Sequence, residues 1–147
     1  MSELLSEDQV ESIYREICES LYLDLAEVEF DLTRANEEER AKMEEMIAKI
    51  RRYIATERLT LEDGKVCYRL IKPVKHLQEE LQHFSFTVDS LAVEKVLKAQ
   101  SSKQQTESSR AIQMLSLIFQ VSPLSIERLH SKDFANLSEL VGFFITA

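Results

Sequence analysis

Three kinds of side chain here could carry chemistry, and their spacing decides what they can do. The histidines are His76, His83 and His130. None stands in an H-x-x-x-H or H-E-x-x-H arrangement, the spacing that sets two imidazoles on one helix face to hold zinc. His76 and His83 instead flank a short bend with Glu79 and Glu80, which reads as solvated polar residues at a strand edge. Cys18 and Cys67 lie far apart and outside any C-x-x-C pair, and Cys18 has no neighbouring histidine or lysine to lower its thiol pKa. Ser101, Ser102, Ser108 and Ser109 lack the G-x-S-x-G elbow that exposes a nucleophile. Carboxylates abound, but Glu37 to Glu39 and Glu44-Glu45 fall where a helix start and a solvated helix face already favour acids. No catalytic residue, metal ligand or cofactor site emerges, and the expectation is a protein that is not an enzyme.

Composition points the same way. The 147 residues suffice for one domain, or one domain with an added arm. Only Gly64 and Gly142 occur, against about 7% glycine in average usage, so the phosphate-cradling G-x-x-x-x-G-K-[ST] loop and the G-x-G-x-x-G fingerprint are excluded. A net charge of −8 argues against nucleic acid and against an anionic membrane surface, since both demand a basic footprint. That charge is unevenly divided. Residues 1 to 63 carry 18 acids and 8 bases, a net of −10, while residues 64 to 147 carry 8 acids and 10 bases, a net of +2. The split predicts an acidic helical arm over 1–63, used for oligomerisation or partner binding, and a near-neutral α+β unit over 64–147. Unpaired cysteines, no basic leader after Met1 and no apolar run long enough to cross a bilayer predict a reduced, cytoplasmic protein.

The elements that must position these side chains are mostly helical. Ser6-Glu7-Asp8-Gln9 reads as a capping box, followed by a stripe of Val10, Ile13, Tyr14, Ile17 and Leu21. From Leu21 to Leu32 the pattern fits strand and helix equally. Asn36 starts a further helix, in which Met43, Ile47, Ile50 and Ile54 repeat at helical spacing. This stripe and that of Val10, Tyr14, Ile17 and Leu21 can zip together as an α-hairpin or pair across a homodimer. Leu59 and Leu61, then Val66, Tyr68 and Leu70, alternate about a Glu62-Asp63-Gly64-Lys65 turn, and Phe84, Phe86 and Val88 alternate again. Pro73 is expected to end or edge its strand. Asp89 is expected to cap a helix through about Gln100, with Ser101 to Ser109 as a loop. Three closing helices follow, over Ala111 to Gln120, from Ser122-Pro123, and from Ser131. The fold class is therefore mainly α with a small antiparallel β-sheet, amphipathic helices packed around a short β-hairpin. Val141 to Ile145 are too apolar for one helix face, so Phe119, Val121, Phe143 and Ile145 are candidates for contact with another protein.

The stretch from about Gly64 to Phe144 resembles the tail assembly chaperone family of contractile-tailed phages and their prophages. The matching features run in order: Tyr68 to Pro73 as an opening strand, Phe84 to Leu91 as a returning strand into a capped start, then Leu115 to Phe119, Ser122-Pro123 with Ile126 and Leu129, and Asp133-Phe134 with Leu137 and Phe144. The chain departs from the pattern at His76 to Glu80, where a glycine-containing turn is expected, and residues 1 to about 60 have no counterpart. The resemblance implies a non-catalytic chaperone in the bacterial host cytoplasm. Its implied partner is the long, helical, aggregation-prone tape measure protein, bound while the tail tube assembles. The alternative is an acidic helical interaction or regulatory module for another helical protein, with residues 1 to 56 as its binding element.

Overall fold

Helices begin where a side chain can take an orphan backbone N–H. The computed structural model describes residues 4–92 and 107–146. Ser6 Oγ accepts from the Gln9 amide at 3.2 Å while Gln9 Oε1 accepts from the Ser6 amide at 2.9 Å, the reciprocal box that opens α1 (Glu7–Ser20). The ambiguous segment is a helix. Asp24 Oδ1 accepts from the Ala26 amide at 2.9 Å and starts α2 (Leu25–Arg34), which brings Leu25, Val28 and Leu32 onto one face. Asn36 caps α3 (Glu37–Ala55) through the Glu39 amide at 2.8 Å.

With so little glycine, other residues enter the left-handed region at helix ends: Tyr22 at φ 58°, Glu57 at 59° and Gln120 at 56°. After each, the next amide reaches back five residues, Leu23 to the Cys18 carbonyl, Arg58 to Tyr53 and Val121 to Ser116. This is the closing bond of a Schellman motif, a position glycine ordinarily fills.

The sheet is antiparallel, in the order β1 (Leu59–Glu62), β2 (Lys65–His76), β3 (Glu79–Phe86). Asp63 at φ 51° and Gly64 at 77° join the paired Glu62 and Lys65, the two positive values that a type I′ hairpin needs. The second hairpin turns without glycine. Leu77 takes φ 59° between the paired His76 and Glu79, with its side chain 87% exposed.

Contrary to the expectation for Pro73, β2 runs through it to His76. Pairing with β3 stops at Arg69 and resumes at Val74, and β1 pairs no further than Tyr68, so Pro73 stands where no neighbour asks for an N–H.

Asp89 does not cap a helix. The turn at Val88–Leu91 is a short 3-10 helix entered through Thr87, whose amide donates to Ser90 Oγ at 3.1 Å. The rest of the helix expected to about Gln100, and Ser101 to Thr106 of the expected loop, lie outside the described residues. Residues 107 to 109, also expected in that loop, belong to α4 (Glu107–Phe119). Ser122 accepts from the Ser125 amide at 3.2 Å and starts α5 (Pro123–Glu127) with proline in the first turn, as expected. The last helix, α6 (Ser131–Thr146), already includes Ser131. His130 does the capping instead: Nδ1 accepts from the Lys132 amide at 3.1 Å and its carbonyl from the Phe134 amide.

A single hydrophobic cluster runs from Ile17 and Ile54 through Tyr68 and Phe84 to Ile118 and Leu137. The charge boundary at residue 63 falls in the turn between β1 and β2, and the apolar interior crosses it without a break.

Candidate functional site

The open surface of chemical interest lies along α3. One face of this helix, with Ile50, Tyr53 and Ile54, is buried in the core. A second face carries Arg40, Glu44, Ala48, Arg51 and Ala55, at steps of four, four, three and four, and lines three adjoining depressions. The central one, about 320 Å³, is floored by Tyr14, Leu25, Val28, Leu32 and Ile47, where α1 and α2 flank α3. It meets a depression of about 330 Å³ at Leu32 and Glu44, and another of about 490 Å³ at Ala48 and Arg51. The small side chains of Ala48 and Ala55 leave the space.

The polar rim is largely tied down. Glu11 accepts from Arg15 at 3.0 Å and pairs with Arg51 at 2.8 Å, while the Arg51 guanidinium lies 5.0 Å from the centre of the Tyr14 ring. Arg40 donates to the carbonyls of Leu32, Thr33 and Ala35, and so caps the end of α2. Arg52 packs 5.5 Å over the Tyr53 ring. Glu29 and Glu44, by contrast, form no ion pair among the described residues. Beneath the groove, burial pushes the Tyr14 phenol well above its ordinary value and the Cys18 thiol up to about 11. Both stay protonated near neutrality. Burial also raises Cys67.

A buried polar node ties α6 to the sheet. Asp133 is fully buried and accepts from Tyr68 Oη at 2.8 Å, from the Ile71 amide at 2.9 and 3.0 Å, and from the Lys72 amide at 3.2 Å. Asn136 Nδ2 donates to Tyr68 Oη at 3.0 Å, and burial raises the Tyr68 phenol to about 12. These amides lie in the stretch of β2 where strand pairing lapses, so the carboxylate replaces the missing ladder. The node satisfies its own groups and is closed to solvent; its work is structural.

Of the expected partner contacts, Phe119, Val121 and Phe143 are buried in the chain's own interior, and Ile145, 37% exposed, stands at the surface. The aromatic rings explain it. Phe119 packs 5.3 Å from Phe84 and 5.7 Å from Phe86, and Phe144 touches both Phe86 and Phe143. Helix α6 is covered on more than one side, which absorbs the surplus apolar residues. Of the expected oligomerisation residues, Val10, Tyr14, Ile17, Leu21, Ile50 and Ile54 are buried where α1 packs on α3 within one chain. Met43 and Ile47 are half-buried, and Ile47 faces the groove.

His76 Nδ1 lies 3.5 Å from both the Ser122 amide and Ser125 Oγ, a junction between hairpin and α5. Among the described residues no cluster of three or more His, Cys, Asp or Glu could hold a metal, and no helix is long and apolar enough to cross a membrane. A further depression of about 480 Å³ separates α4 from α6, floored by Met114, Leu115 and Val141. Of the groove lining, Tyr14 and Ile47 are among the expected oligomerisation residues; Leu25, Val28 and Leu32 were not singled out because the α2 segment had no assigned type, and the second stripe of α3 was the available signal. No family model, no curated protein and no solved structure matches the chain.

Proposed function

We propose that this chain is a non-catalytic protein-binding module that holds a helical segment of its partner. In this reading it is a tail assembly chaperone of a contractile-tailed phage or prophage, acting on the tape measure protein. The observation that carries the binding reading is the open groove along α3, with Leu25, Leu32 and Ile47 half-exposed in its lining. Concave apolar surfaces flanked by helices are how proteins receive another helix. The tail-specific part rests on the resemblance of residues 64 to 144. Coexpression with the tape measure protein of the same genome tests it. The expected result is a larger soluble fraction of tape measure protein that copurifies with this chain; unchanged solubility and no copurification remove the chaperone role.

A further inference from the structure

We propose that α2 is a flap that comes off the α1–α3 pair, losing its helix as it does so, while the rest of the fold stays intact. Its attachment is narrow. Helix α1 buries Val10, Tyr14, Ile17 and Cys18, and α3 buries Ile50, Tyr53 and Ile54, whereas α2 buries Val28 alone. Even Val28 lies outside the continuous hydrophobic cluster, and of the α2 side chains only Leu25 packs against that cluster. Phe30 is exposed, under the guanidinium of Arg34 in its own helix. One side chain acts as the latch. Arg40 of α3 donates from Nε to the Leu32 carbonyl at 2.9 Å and from Nη2 to the Thr33 and Ala35 carbonyls at 3.4 Å. Among the described residues no ion pair joins α2 to another element. The α1–α3 pair has ties of its own: Arg51 meets Glu11 at 2.8 Å and lies over the Tyr14 ring, and the Leu5 amide donates to the Ala55 carbonyl at 3.1 Å. A helix of ten residues is too short to persist in water once its packing is gone, so released α2 is a loop tethered at both ends. Its release takes away one wall of the groove and uncovers Tyr14 and Ile47, which line the groove together with Val28. The fold thus holds a closed and an open state whether or not another protein binds along α3.

Native-state hydrogen exchange of the full chain, read residue by residue by NMR, tests this. The amides from Val28 to Ala35, which close the α2 ladder, are expected to share one protection factor, at least about a hundredfold below that of the buried turns of α1 and α3. Arg40→Ala removes the latch and should lower the α2 protection by about tenfold, leaving α1 and residues 47–55 of α3 within about threefold. Lys49→Ala removes one positive charge from the same helix by breaking the contact with Glu139, and should leave α2 within about threefold. The proposal is overturned if α2 is as protected as α1 and α3, if protection within α2 rises from both ends towards the middle as fraying would give, or if Arg40→Ala lowers all three helices alike. Equal effects of Lys49→Ala and Arg40→Ala on α2 overturn it too, since Arg40 would then act through net charge and not through the carbonyls it holds.

Discussion

The junction of β2 with α6 and the groove along α3 deal with their side chains in opposite ways. At the junction the groups meet one another: Asp133 takes three donors, Tyr68 is held from two sides, and Phe84, Phe86, Phe119, Phe143 and Phe144 pack ring against ring. Along α3 the lining is half-exposed at Leu25, Leu32 and Ile47, over the buried Tyr14 and Val28, and Glu29 and Glu44 form no ion pair among the described residues. A closed, satisfied region holds a shape, while an open one has free energy left to gain from a partner. The contrast places stability at the junction and, in the binding reading proposed above, partner contact along α3.

The comparison breaks first if the regions can be separated. Removing residues 1 to 56 takes away α1, α2 and the whole of α3, and α1 and α3 are the helices on which β1 rests. The remainder is expected to show no cooperative thermal transition by circular dichroism; a sharp melt would mean that the second half folds alone. Next comes Asp133→Ala, which strands two amides and a phenol and should cost about 3 to 5 kcal/mol by denaturant titration. Phe143→Ala should cost about 3 kcal/mol, whereas Ile145→Ala should cost about 1 kcal/mol or less, though only Phe144 separates the two in the sequence. Equal costs would put Phe143 outside the core.

How far the sequence foretold this depends on the range of the interactions involved. The caps at Ser6, Asn36 and Ser122 and the Asp63-Gly64 turn are decided within four residues, and they stand as expected. Passage of β2 through Pro73 depends on a carboxylate some 60 positions away, so no local pattern could announce it. The alternation of Leu21, Leu23 and Leu25 concealed α2, because Leu21 closes one helix and Leu25 opens the next. Without α2 the stripe of Arg40, Glu44, Ala48, Arg51 and Ala55 has nothing to form a groove with. The aromatic tail looked surplus because its covering, on several sides of α6, comes from elements distant in the chain.

Alkaline conditions sharpen the contrast from the interior beneath the groove. Burial raises the Cys18 thiol from 9.0 to about 11, so the folded state holds that proton more tightly than the unfolded chain. The associated stability is complete below pH 9 and is lost as pH rises through the window from 9 to 11. The denaturation midpoint should fall across that window, and less steeply in Cys18→Ala, although Tyr14 titrates upward beside it. An identical slope in both proteins would show that the thiol is not buried in its neutral form.

The smallest effect concerns the link between α1 and α2, which sets one wall of the groove. Tyr22 sits at φ 58° with its ring 84% exposed, and the motif it closes draws on the Leu23 amide rather than on the Tyr22 side chain. Holding a side-chain-bearing residue in the left-handed region costs about 1 kcal/mol. Tyr22→Gly relieves that strain and removes little packing, but it also frees the unfolded chain, which offsets part of the gain. The expected outcome is a rise in stability of about 0.5 kcal/mol with unchanged affinity for a helix bound at α3. The same substitution at Leu77, equally exposed and also at positive φ, should stabilise the second hairpin by a similar amount. A loss of stability at Tyr22 alone would mean that its ring holds α2 in place, and the wall of the groove would then depend on a residue that otherwise stands free of the core.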